Sequence, residues 1–439
     1  MQLQRHLEKD LNEWRIRKNR KPLLIRGARQ VGKSFLVEAF GKKYFNNMIV
    51  INFELSPEYK KCFNTLHPHE ICNMISVIVQ QKITPGETLL FLDEIQDCPE
   101  AIQALRYFKE KMPQLHVIGA GSLLELVLNQ AVYRMPVGRV EFLYLYPFSF
   151  KEFLKVFAPD SVDYIEKATL KEPVPEVIHE YLLKQLKSYF WLGGMPEVLS
   201  DYHMAEDLVR VQAIQSSIIE TYEKDFGHYR NIADPSDLQY CFRQSPLLIG
   251  QQIKYNKINP DARSRELKKA LNTLEDAAII NRIQATAATG IPFDTTVNEK
   301  KFKLNFIDVG LVKRFNKLDI SLMLQDDFVF QNQGALAEQF VGQELLAYAP
   351  SYEKAKLYFW ARDGKGVAEV DYVIISHGKI YPLEVKSGTI GKLKSLQQFL
   401  HENQSEFGIR TSIAQLSLEK NVLSVPLYML SELDRLLFL

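Results

Sequence analysis

The stretch GARQVGKS, Gly27 to Ser34, decides how this chain folds. Phosphate oxygens need several N–H donors converging on one point, and a glycine-containing loop running into a helix N-terminus supplies them from its backbone. Gly27 and Gly32 permit the close approach; Ala28, Arg29, Gln30 and Val31 complete the loop, and Phe35 follows it into the helix. Lys33 is expected to reach the β- and γ-phosphates, and the Ser34 hydroxyl to ligate Mg²⁺. A G-x-x-x-x-G-K-[ST] string also arises by chance, so its surroundings must carry the argument.

Those surroundings agree. The apolar run PLLI, Pro22 to Ile25, precedes the loop, and TLLFLDE, Thr88 to Glu94, is an apolar strand ending in two acids. Asp93 is expected to hold Mg²⁺ through water, and Glu94 to polarise the attacking water as general base. The competing reading, a fortuitous glycine turn plus a capping Asp-Glu pair, explains neither the strand before the loop nor the acids at the end of another. HVIGA, His116 to Ala120, leads to Gly121 and Ser122, which makes Ser122 a candidate sensor of the γ-phosphate. Arg139, in VGRVEF, is a candidate phosphate contact in cis or across a subunit interface, with Arg134 behind it; a surface salt bridge is the alternative.

Further out, short apolar runs at Pro22–Ile25, Met48–Phe53, Thr88–Leu92, His116–Ala120 and Val140–Tyr144 alternate with helical patterns, the signature of a parallel sheet covered by helices. At 439 residues the chain exceeds one hydrophobic core. The expected division is a P-loop domain over 1–150, a helical lid or connector over 151–234, a winged-helix-like unit over 235–330 and a further α/β domain over 331–439. In the third, Leu267, Ala270, Leu271, Leu274 and Ala278 recur at helical spacing after Ser264, and two short strands follow. Arg263, Arg265, Lys268 and Lys269 would decorate that helix, so docking to DNA or to protein is open.

Composition excludes some classes. The formal net charge is +1, and residues 331–439 carry 11 bases against 12 acids, so neither the whole chain nor its last domain shows a basic footprint. Residues 1–60 hold 13 Lys/Arg against 6 Asp/Glu, five of the bases between Arg15 and Lys21; a solvated helix end accounts for this as well as a nucleic-acid site does. Cys62, Cys72, Cys98 and Cys241 have neither zinc spacing nor disulfide density and read as reduced, buried thiols. No 18-residue apolar stretch occurs, so no membrane partner and a cytoplasmic location are expected.

GARQVGKS, LLFLDEIQ, GAGSLLEL and VGRVEFLYLYPFSFKEF together resemble bacterial and archaeal AAA+ ATPases that carry a C-terminal domain of unknown function. GGMPEVL (Gly193 to Leu199), FIDVGL (Phe306 to Leu311), GALAEQFV (Gly334 to Val341), EVDYVI and YPLEVKSG extend the resemblance over nearly the whole chain. It implies an AAA+ core binding ATP and Mg²⁺, a helical and winged-helix middle, a C-terminal PD-(D/E)xK restriction-endonuclease-like fold, and a homo-oligomer as one possible state.

Asp371 and Glu384-Val385-Lys386 have the D…E-x-K layout of that fold. Two carboxylates would converge on Mg²⁺ or Mn²⁺ while Lys386 orients water or stabilises charge; on a strand Glu384 and Lys386 share a face. Glu338 matches the extra acid that Holliday-junction-resolvase-like members place beside the metal. Glu344, six residues on, lies about 240° around the same helix and cannot share the site. Two readings stand: an ATPase whose nucleotide state controls a metal-dependent nuclease acting on DNA, and an ATP-dependent interaction switch whose C-terminal domain binds protein or nucleic acid without cutting it.

Overall fold

The computed structural model describes residues 4–122, 124, 138–317, 334–362, 368–388 and 393–438. The chain forms two compact units: residues 1–146 with 276–278 and 350–354, and the remainder.

In the first unit the apolar runs become five parallel strands, β1 (Leu23–Arg26), β2 (Asn47–Asn52), β3 (Thr88–Asp93), β4 (His116–Ala120) and β5 (Glu141–Tyr144), ordered β2-β3-β4-β1-β5. Every residue of β3 and β4 is buried, as a sheet covered on both faces requires. Helices Pro68–Val79 and Pro99–Lys111 pack one face, setting Ile71, Cys72 and Ile75, and Ile102, Leu105 and Phe108, against Leu90, Leu92 and Val117. Each large apolar side chain so buried contributes roughly 1.5–3 kcal/mol. All four cysteines are free and buried. Parallel register has one consequence for chemistry: the segments leaving the C-terminal ends of β1, β3 and β4 emerge side by side, with Ala120 of β4 level with both Ile25 and Asp93.

The second unit opens with helix Phe150–Phe157, whose first turn is closed by a reciprocal capping box between Ser149 and Glu152. Helices Glu176–Leu192, Pro196–Ala205 and Leu208–Asp225 follow, with Gly193 and Gly194 between the first two. Gly193 has φ +74°, and a Cβ there would collide with the Asp308 carboxylate. That carboxylate accepts from Gly194 N at 2.6 Å and caps helix Val309–Phe315 through Leu311 N at 2.9 Å, joining GGMPEVL to FIDVGL.

Helix Ser264–Asp276 buries Leu267, Ala270, Leu271 and Leu274 and is followed by the hairpin β6 (Ile280–Thr286) and β7 (Val297–Phe306). This hairpin is not the free ribbon of an isolated winged helix. The second edge of β6 pairs in parallel with β8 (Leu357–Ala361), which pairs with β9 (Glu369–Val370), giving one sheet ordered β7-β6-β8-β9. The boundary expected at 330/331 therefore falls within elements that share a sheet. A second sheet, ordered β10-β11-β12-β14-β13, holds β10 (Tyr372–Ser376), β11 (Lys379–Val385), β12 (Gly408–Ser412), β13 (Ser417–Glu419) and β14 (Val422–Pro426). Asp371 sits at the break between β9 and β10. No helix among the described residues is long and apolar enough to cross a membrane.

Candidate functional site

The loop Gly27–Gly32 follows β1 and feeds helix Lys33–Tyr44. Gly27 has φ +143°, and a Cβ there would strike the Leu145 carbonyl oxygen, so glycine is required by both conformation and space. Gly32, in the left-handed region at φ 92°, caps the helix. Arg5, nearly fully buried, braces the loop by donating to the carbonyls of Val31 at 3.0 Å and Tyr146 at 2.5 Å. Lys33 Nζ donates to the carbonyls of Gly27 at 3.0 Å and Ala28 at 2.7 Å. Burial pulls this ammonium down to about 8 against the opposing charges of Glu94 and Asp93, with Arg29 adding to the lowering.

Ser34 Oγ lies 3.0 Å from each Asp93 carboxylate oxygen, and Asn52 Nδ2, level with Asp93 across β2 and β3, donates to Oδ2 at 3.0 Å. Burial raises the Asp93 carboxyl, as does the neighbouring Glu94, while the hydrogen bonds from Ser34 and Asn52 oppose the rise. Glu94 turns into the left-handed region at φ 48°, and Gln96 Nε2 donates to its Oε2 at 2.7 Å. A Cβ at Gly121 would collide with the Gln96 side chain, so the Gly-Ser after β4 leaves room for that contact, and Ser122 is buried at the end of β4. One hydroxyl and one carboxylate oxygen set within a single coordination sphere fit Mg²⁺, which commonly takes one or two protein oxygens and fills its octahedron with water and phosphate. Phe35, by contrast, is half exposed on the first turn.

Sequence reasoning did not find Arg5, Asn52 or Gln96. Asn52 had a weak signal, as the polar residue ending an apolar strand, and Gln96 another, two residues beyond the acid it holds. Arg5 had none. The expectation for Arg139 needs correction as a contact in cis: it precedes β5 at the N-terminal edge of the parallel sheet, opposite the phosphate loop, and pairs on the surface with Glu110 at 3.1 Å. Arg134 lies outside the described residues. In the basic run, Arg17 pairs with Glu141, Arg15 with Asn12, and Arg20 donates to the Gln114 carbonyl.

Residues 19–154 match the family model described as an AAA domain. The N-terminal domain is a P-loop AAA+ ATPase domain. Downstream, residues 183–321 and 333–430 match two domains of unknown function, DUF8612 and DUF4143. Among solved structures, the chain is similar to a Walker-type ATPase of Pyrococcus abyssi at 16% identity and TM-score 0.46, covering 72% of this chain and 96% of that one. It is also similar to the ORC1 protein of Aeropyrum pernix in complex with DNA (12%, TM-score 0.29, covering 74% and 96%) and to the RuvB Holliday junction branch migration motor of Thermotoga maritima (14%, 0.29, 63% and 87%). No functionally curated protein matches the sequence.

The second unit has a buried acidic cluster of its own, unlike the AAA+ site in its cation. Helix Gly334–Ala347 contributes Glu338, β9 Glu369, the β9–β10 break Asp371, and β11 Glu384. Asp371 Oδ2 accepts from Val385 N at 2.8 Å, and Lys386 Nζ donates to Glu384 Oε1 at 2.6 Å, so the D…E-x-K residues do meet. Between Glu338, Glu369 and Asp371, however, stands Lys303 of β7. Its Nζ is 2.8 Å from Glu338 Oε1, in contact with Glu369 and 3.6 Å from Asp371 Oδ1, with its side chain 1% exposed. Gln252 donates to the second oxygen of Glu369 at 2.6 Å. Burial alone would lower Lys303, but these three carboxylates outweigh it and hold the ammonium above the usual lysine value. Burial also raises Glu338, Asp371 and Glu384. The expectation that Glu338, Asp371 and Glu384 converge on Mg²⁺ or Mn²⁺ meets this ammonium on the Glu338 and Asp371 side. Among the described residues no group of three or more His, Cys, Asp or Glu is arranged to hold a metal ion, and here the charge-balancing position is taken by an ammonium. Glu344, on the same helix, faces elsewhere and accepts from Phe150 N at 2.9 Å.

Proposed function

We propose that this chain is a Mg²⁺-dependent ATP hydrolase working as an interaction switch: ATP binding and hydrolysis in the AAA+ domain control what the C-terminal domain holds. The observation that carries the ATPase half is the convergence of Ser34, Asp93 and Glu94 beside the loop. On ATP binding, the loop amides take the β-phosphate and Lys33 exchanges the carbonyls of Gly27 and Ala28 for phosphate oxygens. Ser34 and Asp93 would hold the Mg²⁺ that accompanies ATP, whose chemistry is to draw charge from the β- and γ-phosphate oxygens. Glu94, oriented by Gln96 at Oε2, accepts the proton of a water whose oxygen attacks the γ-phosphorus as the bond to ADP breaks. Ser122, two residues beyond Ala120, which is level with Asp93, is the proposed sensor of that phosphate.

For the C-terminal domain the reading is binding without cleavage, of protein or of DNA. Lys303 within the acidic cluster favours it over metal-dependent cutting, and the net charge of −1 over 331–439 gives no bulk attraction to a phosphate backbone. Arg263, Arg265, Lys268 and Lys269 are exposed on and just before helix Ser264–Asp276 and are the proposed contacts if the ligand is DNA. Lys33→Ala should abolish ATP binding in an equilibrium titration; unchanged affinity would remove the phosphate-loop assignment. Retention of duplex DNA on filters across a salt series tests the DNA option, since a true phosphate contact weakens as salt rises.

A further inference from the structure

The C-terminal acidic cluster draws its four carboxylates from a helix, a strand break and a strand, and its central cation from 35 residues upstream, across the boundary between the two matched domains. Glu338, Glu369, Asp371 and Glu384 carry four formal negative charges, and Lys303 and Lys386 return two. A buried ammonium is tolerated only where carboxylates surround it, and buried carboxylates only where a cation or proton does. Lys303 is also buried. Its side chain is 1% exposed, its Nζ lies 5.2 Å from the centre of the Phe359 ring, and the strand that carries it is the edge of a sheet that includes β8 and β9. A divalent ion among Glu338, Glu369 and Asp371 would compete for their oxygens with an ammonium already in contact with two of them and 3.6 Å from the third, so the two cations exclude one another.

We infer that Lys303 is the resident cation of the C-terminal acidic cluster, standing among Glu338, Glu369 and Asp371, the first carboxylate of the D…E-x-K pattern, and pinning the β6–β7 hairpin to the C-terminal domain. The cluster is then a joint between the upstream hairpin and the C-terminal sheet. The inference bears on the non-cleaving half of the proposed function and is independent of ATP hydrolysis, so either can fail alone.

Mn²⁺ binding to the full-length protein, counted by electron paramagnetic resonance with and without ATP, tests it. Wild type should bind Mn²⁺ with ATP and none without, whereas Lys303→Met should bind one Mn²⁺ without nucleotide. Lys303→Met should also melt on the order of 10 °C lower, and added Mn²⁺ should recover part of that loss. Because the single variant leaves excess negative charge, Lys303→Met with Glu338→Gln removes one charge of each sign and should melt above Lys303→Met alone. Glu384 Oε2, buried without a hydrogen-bond partner, is where a metal in the wild-type protein would enter. Nucleotide-independent Mn²⁺ binding by wild type, lost in Glu384→Gln, would overturn the inference. So would Lys303→Met that melts with wild type, or a folded Lys303→Met that binds no Mn²⁺.

Discussion

Two buried lysines, Lys33 and Lys303, sit beside acidic residues in the two units, and their partners set them apart. Lys33 hydrogen-bonds two backbone carbonyls, and burial pulls it down to about 8. Lys303 touches two carboxylates and lies near a third, which holds it above the ordinary lysine value. An ammonium on neutral carbonyls can be exchanged for phosphate oxygens with a gain in electrostatic energy. One ringed by carboxylates has no better partner to move to. The same residue type thus serves a ligand in one unit and cohesion in the other.

The comparison is open to attack in order of expected effect. Lys303→Met strands buried carboxylates without their cation and should cost about 3–5 kcal/mol in denaturant unfolding of the second unit; a loss below about 1 kcal/mol would mean the cluster is solvated and the contrast with Lys33 false. Glu344 sharpens the point, because it shares the Glu338 helix but has a backbone N–H in place of an ammonium, and burial lifts it to about 8. With the folded value above the unfolded one, its contribution is complete below about pH 4.5 and is lost as pH rises through about 8. Glu344→Gln keeps the acceptor for Phe150 N and cannot ionise, so thermal melting between pH 5 and 8.5 should be flatter in the variant by an amount on the order of a few kcal/mol; parallel profiles would refute this. In the AAA+ site, Gln96→Leu should lower ATP turnover roughly tenfold or more with little change in ATP affinity, since Gln96 donates to Glu94. Arg139→Ala, which breaks an exposed pair with Glu110, should leave the melting temperature and the isolated subunit's turnover unchanged.

The sequence was most legible where function is local. A phosphate loop occupies eight consecutive residues, and Asp93 and Glu94 end an apolar run, so the elements could be read before their contacts. Glu338 was chosen over Glu344 by the family resemblance, helical geometry allowing only one of them at the site, and the two do face different surroundings. Lys303 was not legible: its partners lie 35 to 68 residues downstream, and a lysine in the polar run NEKKFK of β7 looks like a solvated strand residue. The annexation of the β6–β7 hairpin by β8 was hidden for the same reason, since strand pairing across a domain boundary leaves no periodicity. Strands β12, β13 and β14 are short and escaped notice, whereas their parallel and antiparallel partners fix them in the fold.

ATP turnover and retention by Glu94→Gln test the central claim most directly, because the variant preserves the hydrogen-bonding shape beside Gln96 and removes the base. The account predicts that the variant binds ATP with wild-type affinity and holds it unhydrolysed, with turnover reduced about 10²- to 10⁴-fold. Hydrolysis at the wild-type rate would contradict it.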